Sequence, residues 1–135
     1  MPSGPPELRN PPAVWEYDVD GWVVWAGKTA HDNDVLSIKV ARNDDWWFHL
    51  RGAPSSHVVL FVRDGVDPPR DVVERAAAVA AWHSKQRGGG VVAVSGTRAR
   101  FVSKPRGVKP GTVEIKKEAV FKVRPAIPAG AEGAG

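Results

Sequence analysis

Asp45-Trp46-Trp47-Phe48-His49-Leu50-Arg51-Gly52-Ala53-Pro54-Ser55-Ser56-His57-Val58-Val59-Leu60 is the stretch that decides the fold. Two apolar runs, residues 46–50 and 58–62, are rich in aromatic and β-branched side chains, the composition of buried strands. Gly52, Ala53 and Pro54 turn the chain between them. His49 closes the first run, and Ser56 and His57 open the second. Paired as neighbours, the two strands gather these polar groups at one rim of a sheet.

Working outward, Asp20-Gly21 predicts a hairpin between strands at 14–18 and 22–26. Residues 35–41 are ambiguous by pattern. Leu36, Ile38 and Val40 alternate as in a strand, yet Asn33 or Asp34 offers a helix cap. Asp64-Gly65 reads as a turn. Asp67 then caps a helix expected over 68–87, with Pro68 at its first position and Gly88-Gly89-Gly90 as its stop. Arg70 with Glu74, and Asp71 with Arg75, are spaced to pair along its outer side. Short strands follow at 91–95 and 101–103, then a basic loop at 104–111, and residues 112–115 and 120–123 read as a last hairpin. The expected fold is α+β: a mostly antiparallel sheet with one long helix (about 68–87).

Of 135 residues, numbers 14–124 are expected to fold as one domain. The proline-rich lead (1–13) and the Ala/Gly tail (125–135) are expected to be disordered. The chain has no cysteine, which removes disulfides and thiolate metal sites. No apolar run approaches the ~20 residues that span a bilayer, and the first residues lack a secretory pattern. The protein is therefore read as cytoplasmic, with no membrane partner. The net charge is +4, unevenly spread. Residues 97–124 hold nine basic side chains and two acids, a net of +7, leaving −3 elsewhere. A cationic segment of this kind suits a polyanion partner, or an ordinary solvated surface with lysines guarding an edge strand.

Asn33-Asp34, Asp45-x-Trp47-Phe48-His49, Ser56-His57-Val58-Val59, residues 76–85 around Trp82-His83-Ser84-Lys85, and Lys104-Pro105-Arg106-Gly107-Val108-Lys109-Pro110-Gly111 together resemble one family. It is the NFACT-R domain, the RNA-binding module of the RqcH/NEMF proteins, formerly called fibronectin-binding in bacteria. The resemblance spans roughly residues 15–123. It implies a short helix at about 34–41, a tRNA- or rRNA-binding role in translation and ribosome-associated quality control, and the large ribosomal subunit as a partner. It further implies a stand-alone module without tail synthesis of its own, with a separate NFACT-N-type protein as a candidate partner. Two departures occur. Gly27-Lys28-Thr29 stands where bacterial members commonly have Gly-Arg-Asn, and Ser55 where the family usually has glycine.

Lys104, Arg106 and Lys109 are the expected phosphate contacts, on a loop stiffened by two prolines, with Lys28, Arg42 and Arg51 as further candidates. His49, Ser56 and His57 form the polar rim, either as structural residues or as contacts to a phosphate or a ribose 2′-hydroxyl. Other readings stay open. One is a nuclease or other RNA-processing enzyme using His49 and His57 as acid and base; another is a protein-binding scaffold. Ser56 and His57, as neighbours on a strand, face opposite ways and make a poor nucleophile–base pair. His31-Asp32-Asn33-Asp34 lacks the glycine and distal glutamate of a calcium loop. His49, His57 and His83 would meet on zinc only if the helix end covered the strand rim. No cofactor or metal is called for.

Overall fold

Period-two alternation in the aromatic strands gives the central sheet two buried faces. In the computed structural model, which describes residues 4–63 and 65–131, β1 (Val14–Val19) and β2 (Trp22–Gly27) form the expected hairpin. Asp20 and Gly21 both take positive φ at its turn, the conformation that a two-residue hairpin favours. β3 (Trp46–Leu50) and β4 (Val58–Leu60) pair as neighbours. With β5 (Val92–Arg98) and the later strand β8 (Ala119–Val123) they complete a six-stranded antiparallel sheet in the order β1-β2-β4-β3-β5-β8.

Phe48, Leu50, Val58, Leu60, Val94 and Phe121 point to one face, under helix α2 (Arg70–Trp82). The alanines of α2 let it lie close to the strands, and Ala76, Ala77, Ala80 and Ala81 are fully buried. A Cβ on Gly96 would sit 2.7 Å from the Phe121 ring, so only glycine fits there. Trp25, Trp47 and Val59 point to the other face and meet Leu36, Val40 and Phe61. Trp46 and Trp47 face opposite ways, and each packs on a different core.

The helices differ from expectation in extent. α2 spans 70–82, shorter than the expected 68–87. Asp67 does not cap it; Pro69 holds that position, and the Asp67 carboxylate reaches Arg98 instead. Its far end stops at His83, whose carbonyl accepts the Ser56 N–H at 3.1 Å. A tertiary contact ends the helix before the triglycine. Arg75 pairs across the fold with Asp20 at 2.9 Å, while Arg70–Glu74 forms as expected at 3.1 Å. The short helix begins earlier than about 34: α1 (Ala30–Asp34) runs into a π-helical stretch, Val35–Val40. Thr29, not Asn33 or Asp34, is its cap, accepting the Asp32 N–H at 3.1 Å.

The expected last hairpin does not form. β7 (Glu114–Ile115) pairs with β6 (Val102–Ser103), which follows a 3₁₀ turn at Ala99–Phe101, while β8 pairs with β5. The reason lies in the cores. Ile115 packs on the Trp47 face beside β6, while β8 takes the open edge of the main sheet beside β5 and puts Phe121 under α2. Lys117 turns the chain between β7 and β8 with φ 57°, and Thr97 Oγ1 donates to the Lys116 carbonyl at 2.7 Å.

Asp64, half of the expected Asp64-Gly65 turn, lies outside the described residues; Arg63 and Val66 form a bridge beside it. Residues 1–3 of the lead and 132–135 of the tail also lie outside. Within those flanks, Gly4 O accepts from Arg42 Nη2 at 2.6 Å, and Ala126 N–H donates to Ala78 O at 3.2 Å.

Candidate nucleic-acid interface

Three motif residues tie α1, β4 and the basic loop together. Asn33 Oδ1 accepts the backbone N–H of His57 at 3.0 Å; Gly27 leaves room for it, since a Cβ there would collide with that oxygen. Asp34 Oδ1 accepts the Gly111 N–H at 3.0 Å, and its other oxygen lies 3.3 Å from Lys104 Nζ. The Lys104 ammonium also donates to the carbonyls of Lys109 (2.9 Å) and Thr112 (3.2 Å). Lys104 therefore closes the loop on itself, while Arg106 and Lys109 stay exposed.

His57 is the third fastener, 1 % exposed. The Gly111 carbonyl, 3.2 Å from Nε2, can only accept, so Nε2 carries the proton. Nδ1 then accepts from the Ser37 hydroxyl at 2.8 Å, and Ser37 Oγ accepts the Trp47 indole N–H at 2.9 Å. Burial, aided by the neighbouring His49, pushes the His57 pKa down to about 4. The neutral ring has no nitrogen left for proton transfer. His49 lies beside it, with ring centroids 5.3 Å apart. Its Nδ1–H donates to the Leu50 carbonyl at 2.6 Å, and burial lowers its pKa.

These residues border a cleft of about 1010 Å³ between the loop, the ends of β3 and β4, and the C-terminal end of α2. Lys28, Arg51, Lys85, Arg87 and Lys109 line it, and no Asp or Glu does among the described residues. Glu118 stands just outside, 3.6 Å from Arg51. Lys28 lies over the Trp15 ring, whose plane stacks on His83 at 4.3 Å. His83 shares a 2.6 Å hydrogen bond with Tyr17 Oη, and burial pushes its pKa down to about 4. Ser56 Oγ donates to the Gly27 carbonyl at 2.7 Å.

The fold thus gathers Lys28, His49, Arg51, Ser56, His57 and Lys109 around one cleft. Lys104 and Arg106 share the loop but do not line it. Arg42 lies elsewhere, in a second cavity with Asp45 as its 3.4 Å partner. Of the nine basic residues in the cationic segment, Lys109 alone lines the cleft among the described residues. Lys85 and Arg87 are additions that sequence reasoning missed, although Lys85 stands in the quoted His83-Ser84-Lys85 motif. Among the described residues no group of three His, Asp or Glu side chains is placed to hold a metal, and no helix is long and apolar enough to cross a membrane.

A two-faced sheet with a basic loop clamped over its histidine-bearing rim defines the class of domain, and the comparisons agree. The family described as the NFACT protein RNA binding domain matches residues 13–117, and this chain belongs to it. The Rqc2 homolog RqcH of Streptococcus suis (strain 05ZYH33) is 37 % identical over 103 residues, covering 76 % of this chain and 18 % of the relative. The Rqc2 homolog RqcH of Bacillus subtilis (strain 168) is 34 % identical over 117 residues, covering 87 % and 20 %. This chain spans about a fifth of the length of these curated relatives. Among solved structures, the C-terminal region of the fibronectin/fibrinogen-binding protein from Streptococcus suis superposes with a TM-score of 0.77 at 35 % identity, covering 89 % of this chain and 47 % of that one.

Proposed function

We propose that this chain is an RNA-binding module that lays a segment of tRNA or rRNA across the cleft, in ribosome-associated quality control. The observation that carries this reading is the charge of the cleft: five cations line it and no carboxylate does among the described residues, in a domain of an RNA-binding family. Lys28, Arg51 and Lys109 are the phosphate contacts, Arg106 extends the track along the loop, and Lys85 and Arg87 continue it beyond the helix end. Lys104 acts indirectly, by holding the loop. The likeness to RqcH supports a setting on the large ribosomal subunit and a cytoplasmic location. The acid–base alternative is disfavoured, because a two-imidazole mechanism needs an accessible nitrogen on each ring and both nitrogens of His57 are engaged.

Filter binding to tRNA across a salt series tests this. The wild type is expected to lose affinity steeply with salt, and a Lys28→Ala/Arg51→Ala/Lys109→Ala variant to show a slope shallower by about 0.7–0.9 per lost contact. A slope near zero for the wild type, or one unchanged in the variant, would refute the assignment.

A further inference from the structure

We propose that His49 Nε2 accepts a hydrogen bond from a ribose 2′-hydroxyl, so that the cleft distinguishes RNA from matched strands lacking that donor. This rests on the RNA-binding reading above and names the chemical group that one residue of the same site recognises.

The argument is one of proton placement. His49 Nδ1 lies 2.6 Å from the Leu50 carbonyl, an acceptor only, so Nδ1 carries the hydrogen. Burial keeps the ring's pKa below 6.5, so at neutral pH the ring is uncharged and Nε2 is a bare lone pair. Among the described residues nothing donates to it, and it is not sealed off, since no fully buried side-chain nitrogen or oxygen lacks a partner. The ring cannot easily turn away. It stacks on Trp47 with centroids 6.0 Å apart and planes 6° from parallel, and stands edge-on to His57.

A lone pair fixed in this way is the wrong group for a phosphate, whose oxygens also only accept. It suits a donor. Ribose supplies one at every nucleotide, beside each phosphate and independent of the base. Arg51, two residues along the chain, and Lys109 across the cleft would hold the neighbouring phosphates. His57 cannot share the role, because both of its nitrogens are already bonded.

The experiment is competition binding of single strands of one sequence as RNA, as 2′-O-methyl RNA and as DNA. The methyl ether keeps the sugar pucker of RNA but removes the donated hydrogen. Wild type is expected to prefer RNA over the 2′-O-methyl strand by about 3- to 10-fold, the worth of one neutral hydrogen bond. His49→Phe, which keeps a flat ring on Trp47, is expected to abolish the preference; His49→Gln, which restores an acceptor, should regain part of it. Nitrogen NMR of the wild type reads the same bond without a substitution: the bare Nε2 signal should move on adding RNA and stay put with the 2′-O-methyl strand. Equal affinity of the wild type for the two strands, or a preference that survives His49→Phe, overturns the inference. Failure of all three strands to bind at low salt overturns the RNA-binding reading itself, a result that cannot be mistaken for the other.

Discussion

The two ends of the central strands are both crowded with charge, and they handle it in opposite ways. The second cavity, about 530 Å³, is lined by Arg42 and Arg63 against Asp44, Asp45 and Asp67. There the cations meet acids: Arg42 pairs with Asp45 at 3.4 Å, Arg98 with Asp67 at 3.3 Å, and Arg100 with Asp44. Asp45 is 1 % exposed, its oxygens taking the N–H groups of Arg42 and Val62 at 2.8 Å each. At the cleft end the Asp34 carboxylate is turned inward to the loop and Glu118 reaches Arg51, while Lys28, Lys85, Arg87 and Lys109 face the opening with no acid paired to them among the described residues. Compensated charge fixes a corner of the fold; uncompensated charge raises the local potential and invites a polyanion.

This contrast breaks most readily under acid. His57 and His83 both belong to the cleft end, and burial holds each near 4 when the ordinary value is 6.5. Between those values the unfolded chain binds protons that the folded chain refuses. Stability is therefore full above about 6.5 and lost as pH falls towards 4. For buried His57, with His49 and Asp34 the titratable groups nearest it, the loss is on the order of 3 kcal/mol; half-buried His83 contributes less. Urea denaturation at a series of pH values measures this, and His57→Asn should flatten the profile. A curve flat from 7 to 4 would mean that the imidazoles are not buried as described.

A smaller effect is expected from Asp34→Ala, which removes the acceptor of Gly111 N–H and the partner of Lys104. Stability should fall by about 2 kcal/mol. RNA affinity should also drop several-fold although no RNA contact is removed, because the loop bearing Arg106 and Lys109 is freed. Asp34→Asn, which keeps an acceptor for Gly111, should recover part of the affinity. Unaltered binding by Asp34→Ala, measured by the same filter assay, would separate the loop from the site.

The smallest change should come from the compensated end. Arg98→Ala with Arg100→Ala breaks two exposed ion pairs, each worth no more than about 1 kcal/mol, and should leave the affinity for tRNA within about twofold. These two residues belong to the most basic stretch of the chain. A large loss of binding on their removal would show that charge along the sequence, rather than its placement around the cleft, governs recognition.

How much of this was legible beforehand varies by element. Alternation in Trp46–Leu50 and the Asp20-Gly21 turn locate the sheet because a strand's side chains can only alternate, and that constraint is local. The pairing of β3 with β4 and the convergence of His49, Ser56 and His57 follow from their short connection. The final hairpin misleads because neighbours in sequence ordinarily pair, whereas here β8 completes the main sheet beside β5 and β7 pairs with β6. The helix end misleads because Ser56 and His83, 27 residues apart, supply the bond that stops it.

The sequence by itself determined an α+β domain of recognisable family, with a stiff basic loop and polar residues at the tips of two apolar strands. Those follow from side-chain period, turn chemistry and motif spacing, all of which act within a few residues. Only the tertiary structure decided which cations remain uncompensated. Whether an arginine or lysine faces a partner or is neutralised depends on acids brought to it from distant parts of the chain: Asp34 to Lys104, Asp44 to Arg100, Asp67 to Arg98. Coulomb attraction acts through space over a few ångströms, so the site is a property of the folded arrangement rather than of any run of residues.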